Sequence, residues 1–176
     1  DGNIVANDGD RVFLYVGMRR GGKAYYALDV TNPESPRLML TFEKSWDFAE
    51  LGYTFSNPRV GLVKTASGPR PAVMVAGGYD TNKDARGGVG TDDSEGNALF
   101  VVVAVTGGVL WKARRGSGGA GRSVFEHPKL TDSIPSTLTV ADTDGDGFTD
   151  RMVVGDTGGN IWRADIGGDD TSKWKL

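Results

Sequence analysis

Cysteine is absent from this 176-residue chain, and histidine occurs once, as His127. Disulfides and thiolate metal sites are therefore excluded, and a catalytic triad or imidazole metal site would have to be built around that one residue. No apolar run approaches the ~18 residues that a membrane-spanning helix needs. Basic charge is not in excess either: 20 Lys and Arg against 23 Asp and Glu give a net charge of −3, which offers no footprint for nucleic acid. Helical patterning is scarce, and SWDFAELG (45–52) is the best candidate for one or two turns. The opening residues, DGNIVANDGD, carry no signal-peptide pattern and read as the middle of a protein, so a secretion signal is expected outside this stretch.

Glycine, by contrast, is abundant, with 27 residues or roughly twice the usual share. The glycines separate short runs rich in Val, Leu, Tyr and Phe, among them RVFLYVG (11–17), KAYYALDV (23–30), PAVMVAGG (71–78), ALFVVVAV (98–105) and NIWRADI (160–166). Runs of this length bounded by Gly, Asn or Asp read as strands joined by turns. They also repeat. One strand ends in glycine at Gly17, Gly77 and Gly155, and a second starts directly after a glycine at Lys23, Asn97 and Asn160. Outer strands such as RLMLTFE and GVLWKAR follow, and the copies lie about 60 to 80 residues apart, the spacing of a bladed array. The expectation is an all-β fold, residues 1–176, with about three antiparallel blade units and long loops, approximately 1–52, 53–115 and 130–176. Propellers close with about four to eight blades, so three units describe a fragment of a modified β-propeller whose partners include the remaining blades. A β-sandwich with long loops is the alternative.

Several stretches imitate functional motifs. GSGGAGRS (116–123) has the spacing of a phosphate-binding loop, with Gly116, Gly121, and Arg122 in the place of lysine. Such a loop needs a helix opening immediately behind it, whereas VFEHPKL follows, so a flexible connector is expected. His127 has no Gly-x-Ser-x-Gly elbow to serve and is expected in a loop. DTNKDARGGVGTDDSEGN (80–97) starts like a cation loop at Asp80, Asn82 and Asp84 but lacks the glycine at the sixth position and the acid at the ninth, so a solvated loop is expected. MRRGGK (18–23) reads as a basic hairpin tip, either solvated or turned to an acidic partner.

DTDGDGFTD (142–150) packs four aspartates into nine residues, and like charges so close repel. A hard cation resolves the repulsion. Calcium takes oxygen ligands from positions 1, 3, 5, 7 and 9 of a loop of this kind, with a glycine at position 6 for the turn. Those positions are Asp142, Asp144, Asp146, the backbone carbonyl of Phe148, and Asp150, with Gly147 at the turn. An EF-hand would add a glutamate at position 12 and flanking helices, but position 12 is Val153 and the flanks STLTV and RMVVG are strand-like. The expectation is a Ca2+ loop between two strands. An exposed acidic turn that binds nothing is the plain alternative.

AVTGGVLW (104–111) resembles the Thr-Gly…Trp signature of quinoprotein-like propellers, whose tryptophan packs between adjacent blades; an aspartate usual in that family is Val103 here. None of that family's cofactor ligands is identifiable. A more extensive resemblance is carried by DTDGDGFTDRMVVGDTGGNIWRADI and RVFLYVGMRRGGKAYYALDVTNP, together with TFSNPRVG, VMVAGGYD and LFVVVAVTGGVLW. These are similar to the C-terminal propeller of the type IV pilus tip adhesins, the PilC/PilY family. The resemblance implies calcium held by the side chains of Asp142, Asp144, Asp146 and Asp150, and control of pilus extension and retraction by that ion. It also implies a non-enzymatic protein at the pilus tip or cell surface, associated with the outer membrane, that meets pilus components or host cells. The Arg-Gly-Asp motif of some members is absent. Integrin-type propeller repeats share the Asp-Gly-x-x-Asp pattern, which leaves a purely structural calcium repeat open; a quinoprotein-like enzyme is the other alternative.

Overall fold

The glycine-bounded runs form strands in the computed structural model, which describes residues 4–85, 87, 90–120 and 123–176. β1 (Phe13–Gly17), β2 (Ala24–Asp29) and β3 (Arg37–Glu43) make one antiparallel sheet, blade 1. A larger sheet, blade 2, holds β4 (Arg59–Val63), β5 (Arg70–Ala76), β6 (Ala98–Val103) and β7 (Val109–Arg115) in that order. Beyond β7 it continues with β9 (Val124–His127), which runs parallel to β7, and then β8 (Gly119–Ala120). Blade 3 is β10 (Thr139–Ala141), β11 (Arg151–Gly155) and β12 (Ile161–Asp165). The array is open, an all-β propeller fragment as the repeat predicts.

Alternation along the strands gives blade 2 two apolar faces. Met74, Leu99, Val101 and Trp111 on one face pack against Met152, Val154, Ala164 and Ile166 of blade 3. Val73, Val75, Phe100 and Val102 on the other pack against Tyr25 and Phe42 of blade 1. Trp111 is fully buried in the first seam, edge-on to Trp174 with ring centroids 6.4 Å apart, so it packs between adjacent blades as the Thr-Gly…Trp stretch predicts. In the second seam Phe48 bridges Phe42 and Phe100 at 5.7 and 5.2 Å. Burying a side chain of this size is worth roughly 1.5–3 kcal/mol, which makes these two seams the main source of cohesion between the blades.

The outward faces of the terminal blades differ. The register Leu14↔Leu28↔Leu38 lines the far face of blade 1 with leucine, and Leu14 and Leu38 are 50% and 61% exposed. β1 also has an unpaired edge: its counterparts in the repeat, β5 and β11, pair there with β4 and β10, and blade 1 has no such inner strand among the described residues. The far face of blade 3 instead carries Arg151, Arg163 and Asp165, joined by ion pairs of 3.1 and 2.8 Å.

Four local expectations need correction. Residues 45–52 form successive turns (Phe48 N to Ser45 O, 3.1 Å; Leu51 N to Phe48 O, 3.0 Å) rather than a helix, because Phe48 and Leu51 are drawn into the blade 1–2 seam. The 80–97 tract is a solvated loop only in part: Asp84, Ala85, Gly90 and Asp92 are exposed and residues 86, 88 and 89 lie outside the described residues, but Asp80, Asp93, Glu95 and Asn97 are buried. Asp80 is buried, and although burial pushes its carboxyl upward, the backbone N–H groups of Asn82 and Ser94, with further bonds from the Ser94 hydroxyl and Glu95 N–H, hold it below the usual range. Lys83 lies between Asp132 (2.9 Å) and Asp93 (3.4 Å), and Glu95 is paired with Lys23 and Lys44 of blade 1. Lys83 thus serves Asp93 from within the tract, while Glu95, Asp84 and Asp92 take their positive partners from outside it. The 116–120 stretch is not a free connector: Gly118 N donates to Glu126 Oε2 at 2.9 Å, and Arg114 clasps the other oxygen at 2.7 Å, so the glycine loop already holds an anion. Gly121 and Arg122 lie outside the described residues. His127 ends β9 rather than lying in a loop, its ring edge-on to Trp162 at 5.2 Å. Finally, the basic hairpin tip is partly engaged, since Arg20 holds Asp84 at 2.6 and 2.7 Å.

Candidate cation site

β10 and β11 pair from Thr139↔Val153 to Ala141↔Arg151, and Asp150 N extends the ladder to Ala141 O at 2.9 Å. The acidic loop 142–150 is therefore the connection between two strands, with Val153 inside β11. Gly145 and Gly147 adopt φ of 79° and 89°, a region where a side chain is strained. The loop is folded around its own carboxylates. Asp142 accepts from Gly145 N (2.7 Å) and Asp146 N (3.2 Å) on one oxygen and from Gly147 N (2.8 Å) on the other. Asp146 Oδ1 accepts from Phe148 N at 3.0 Å. The result brings one carboxylate oxygen each of Asp142, Asp144 and Asp146 within 4.8 Å of one another, all three exposed.

Asp150 stands apart from this trio. Its Oδ2 accepts from Thr143 N at 3.1 Å and from the Thr143 hydroxyl, while Oδ1 is buried and has no hydrogen-bond partner among the described residues. A pocket of about 90 Å3 lies here, lined by Asp144, Asp146, Phe148, Asp150, Gly168 and Lys64. Phe148 supplies the pocket wall, and its ring faces the Lys64 ammonium at 5.1 Å.

Lys64 is the residue that sequence reasoning missed. It follows β4 on blade 2, 82 positions before Asp146, and donates from Nζ to Asp146 Oδ2. Nothing local in VKTASG marks it; only the fold brings it to the loop. This bond, reinforced by the Phe148 N–H, holds the Asp146 carboxyl below the usual carboxylate range, and the same bond raises Lys64. Asp142 is held low by the Gly147 N–H, helped by those of Gly145 and Asp146. Low carboxyl values keep the loop anionic at neutral pH.

The donor set suits a hard divalent ion. It offers carboxylate and carbonyl oxygen with no imidazole or sulfur among the described residues that line it, a small pocket, and one buried carboxylate oxygen, Asp150 Oδ1, that no group among the described residues satisfies. Asp142, Asp144 and Asp146 are already gathered; Asp144, Asp146, Phe148 and Asp150 line the pocket, and Asp142 is not among its lining residues.

A family model described as the PilY1 beta-propeller domain matches residues 3–174. The chain is 30% identical over 146 residues to the type IV pilus biogenesis factor PilY1 of Pseudomonas aeruginosa strain UCBPP-PA14, covering 83% of this chain and 10% of that protein. It is 27% identical over 174 residues to a PilY1 homolog of Xylella fastidiosa, covering 94% of this chain and 10% of the homolog. Among solved structures it is similar to the crystal structure of the P. aeruginosa PilY1 C-terminal domain, with a TM-score of 0.63 and 27% identity over 89% of this chain and 27% of that one. The chain thus spans about a tenth of the length of these curated relatives.

Proposed function

Because the chain belongs to the PilY1 beta-propeller family, we propose that it is a calcium-binding, non-catalytic adhesion module of a type IV pilus biogenesis protein. The observation that carries the calcium reading is the buried Asp150 Oδ1, unpartnered among the described residues, in a pocket that Asp144 and Asp146 of the gathered trio also line. Asp142, Asp144, Asp146 and Asp150 would hold the ion through their side chains and Phe148 through its carbonyl. The ion's contribution is charge neutralisation across the β10–β11 connection. Control of pilus extension and retraction, a place at the pilus tip or outer surface, and contact with pilus components or host cells belong to this proposal for the whole protein. The apolar far face of blade 1 is assigned to a further blade of the same propeller. Among the described residues no helix is long and apolar enough to cross a membrane.

Thermal unfolding with added calcium tests the site. Without a position-12 glutamate the affinity is expected in the micromolar to millimolar range, with magnesium a poor competitor because it demands a tight octahedron. Calcium at about a hundred times the dissociation constant stabilises a fold by ~2.7 kcal/mol, and Asp150→Ala should remove most of that gain. No rise in melting temperature at millimolar calcium sinks the assignment. In the parent bacterium, Asp150→Ala should alter piliation or twitching; normal behaviour of both would leave calcium a purely structural role.

A further inference from the structure

We infer that Lys64 is a tethered competitor for the cation site, an ammonium that offsets part of the loop's negative charge while no ion is bound and must leave Asp146 when a divalent ion enters. The inference rests on the calcium reading above and adds to it a residue from a different blade. Both oxygens of Asp146 are engaged, Oδ1 by Phe148 N at 3.0 Å and Oδ2 by Lys64 Nζ. The first bond helps to shape the loop. The second is made by a side chain that is 42% exposed and replaceable by solvent. An ion that ligates Asp146 therefore has the Lys64 bond as the cheaper one to displace. Charge points the same way: a single and a double positive charge at one carboxylate repel, whereas either alone is attracted.

The ammonium has a second contact besides Asp146. Its Nζ already lies 5.1 Å from the centre of the Phe148 ring, a cation–π contact that leaving Asp146 need not break. Departure of Lys64 does not detach the loop from blade 2, since Thr149 N donates to Leu62 O at 2.7 Å through the main chain. Lys64 therefore sets the ion's affinity, and the fold around it stays in place. The effect is a site tuned to respond at high calcium, with a threshold written into one side chain.

Calorimetric titration with calcium chloride of the wild-type chain, Lys64→Gln and Lys64→Arg tests this. Lys64→Gln should bind about tenfold more tightly at low salt, the scale of repulsion between a single and a double charge across a few ångströms of water-like dielectric. Lys64→Arg should stay near wild type, and the gap between Gln and wild type should narrow at ~0.5 M salt as screening grows. A gain in affinity is a result that damage to the loop would not produce. Binding by Lys64→Gln when wild type gives no heat would support the inference in its strongest form. Wild-type binding with an equal or weaker Lys64→Gln overturns it and leaves the calcium reading intact. Absence of binding in both overturns both. Lys64→Met, which keeps the aliphatic stem, repeats the measurement if circular dichroism shows Lys64→Gln to be misfolded.

Discussion

Blades 1 and 3 stand at opposite ends of one array and share one strand–turn–strand repeat, yet they meet their surroundings differently. Blade 1 presents Leu14, Val16 and Leu38 outward and leaves the edge of β1 unpaired among the described residues, where β4 and β10 complete the other two blades. Blade 3 presents Arg151, Arg163 and Asp165, already paired with one another. The repeated glycines show the same divergence. A Cβ on Gly17 would sit 2.5 Å from Thr54 O, and one on Gly77 would overlap the Gly96 carbonyl and lie 2.9 Å from Ala98 N. On Gly155 the nearest such atom is Asn160 O, at 3.8 Å. A repeat thus specifies strands and turns, while the neighbouring chain decides which of its residues are obligatory.

Substituting the equivalent glycines should give the largest effect. Gly77→Ala forces a methyl into main chain that has no room to move and should cost ~1–3 kcal/mol, whereas Gly155→Ala should stay within ~0.5 kcal/mol; urea unfolding of both variants reads the difference. Equal costs would mean that the glycine serves the strand end itself and owes nothing to its neighbour. A smaller effect is expected at the outer faces. Leu14→Thr with Leu38→Thr should reduce concentration-dependent self-association in sedimentation, because exposed apolar faces and free strand edges attract other chains. Ile161→Thr on blade 3, although that residue is 79% exposed, should change little, as it shares its face with Arg163 and the ion-paired Arg151 and Asp165 and sits opposite Gly155. If the wild type sediments as a monomer at all concentrations, the contrast between the faces carries no energetic weight.

The smallest effect concerns the link between blade 1's hairpin tip and the blade 2 insertion. The Arg20 hydrogen bonds, with help from the Tyr79 hydroxyl, hold Asp84 at about 2 against an ordinary 3.8. A carboxyl with its folded value depressed contributes stability that is present above the ordinary value. That contribution is lost as pH falls from about 4 towards 2. Arg20→Gln should return Asp84 towards the ordinary range in an NMR titration and flatten that part of the acid-unfolding profile. An unchanged Asp84 titration would show that the ion pair does not persist in solution.

The paired strands, their glycine ends and the acidic loop were legible because each is written in adjacent residues with a fixed period or spacing. What escaped reading joins residues far apart in the chain. Lys64 reaches Asp146 across 82 positions and Lys83 reaches Asp132 across 49, and no local pattern announces either. The 45–52 stretch misled for a related reason, since its apolar residues answer to a seam with blade 2 and not to a helical face. His127, expected in a loop, packs on Trp162 of another blade.

The main-chain bond from Thr149 to Leu62 has a mechanical meaning. One end of the acidic loop is laced into blade 3 through Asp150 and Ala141, while the adjacent residue is fastened to β4 of blade 2. Part of any pull that parts these blades passes through Thr149, next to the carboxylate whose buried oxygen lacks a partner among the described residues. The loop is therefore in one load path of the seam, and an ion bound as proposed would act on the same few atoms as tension.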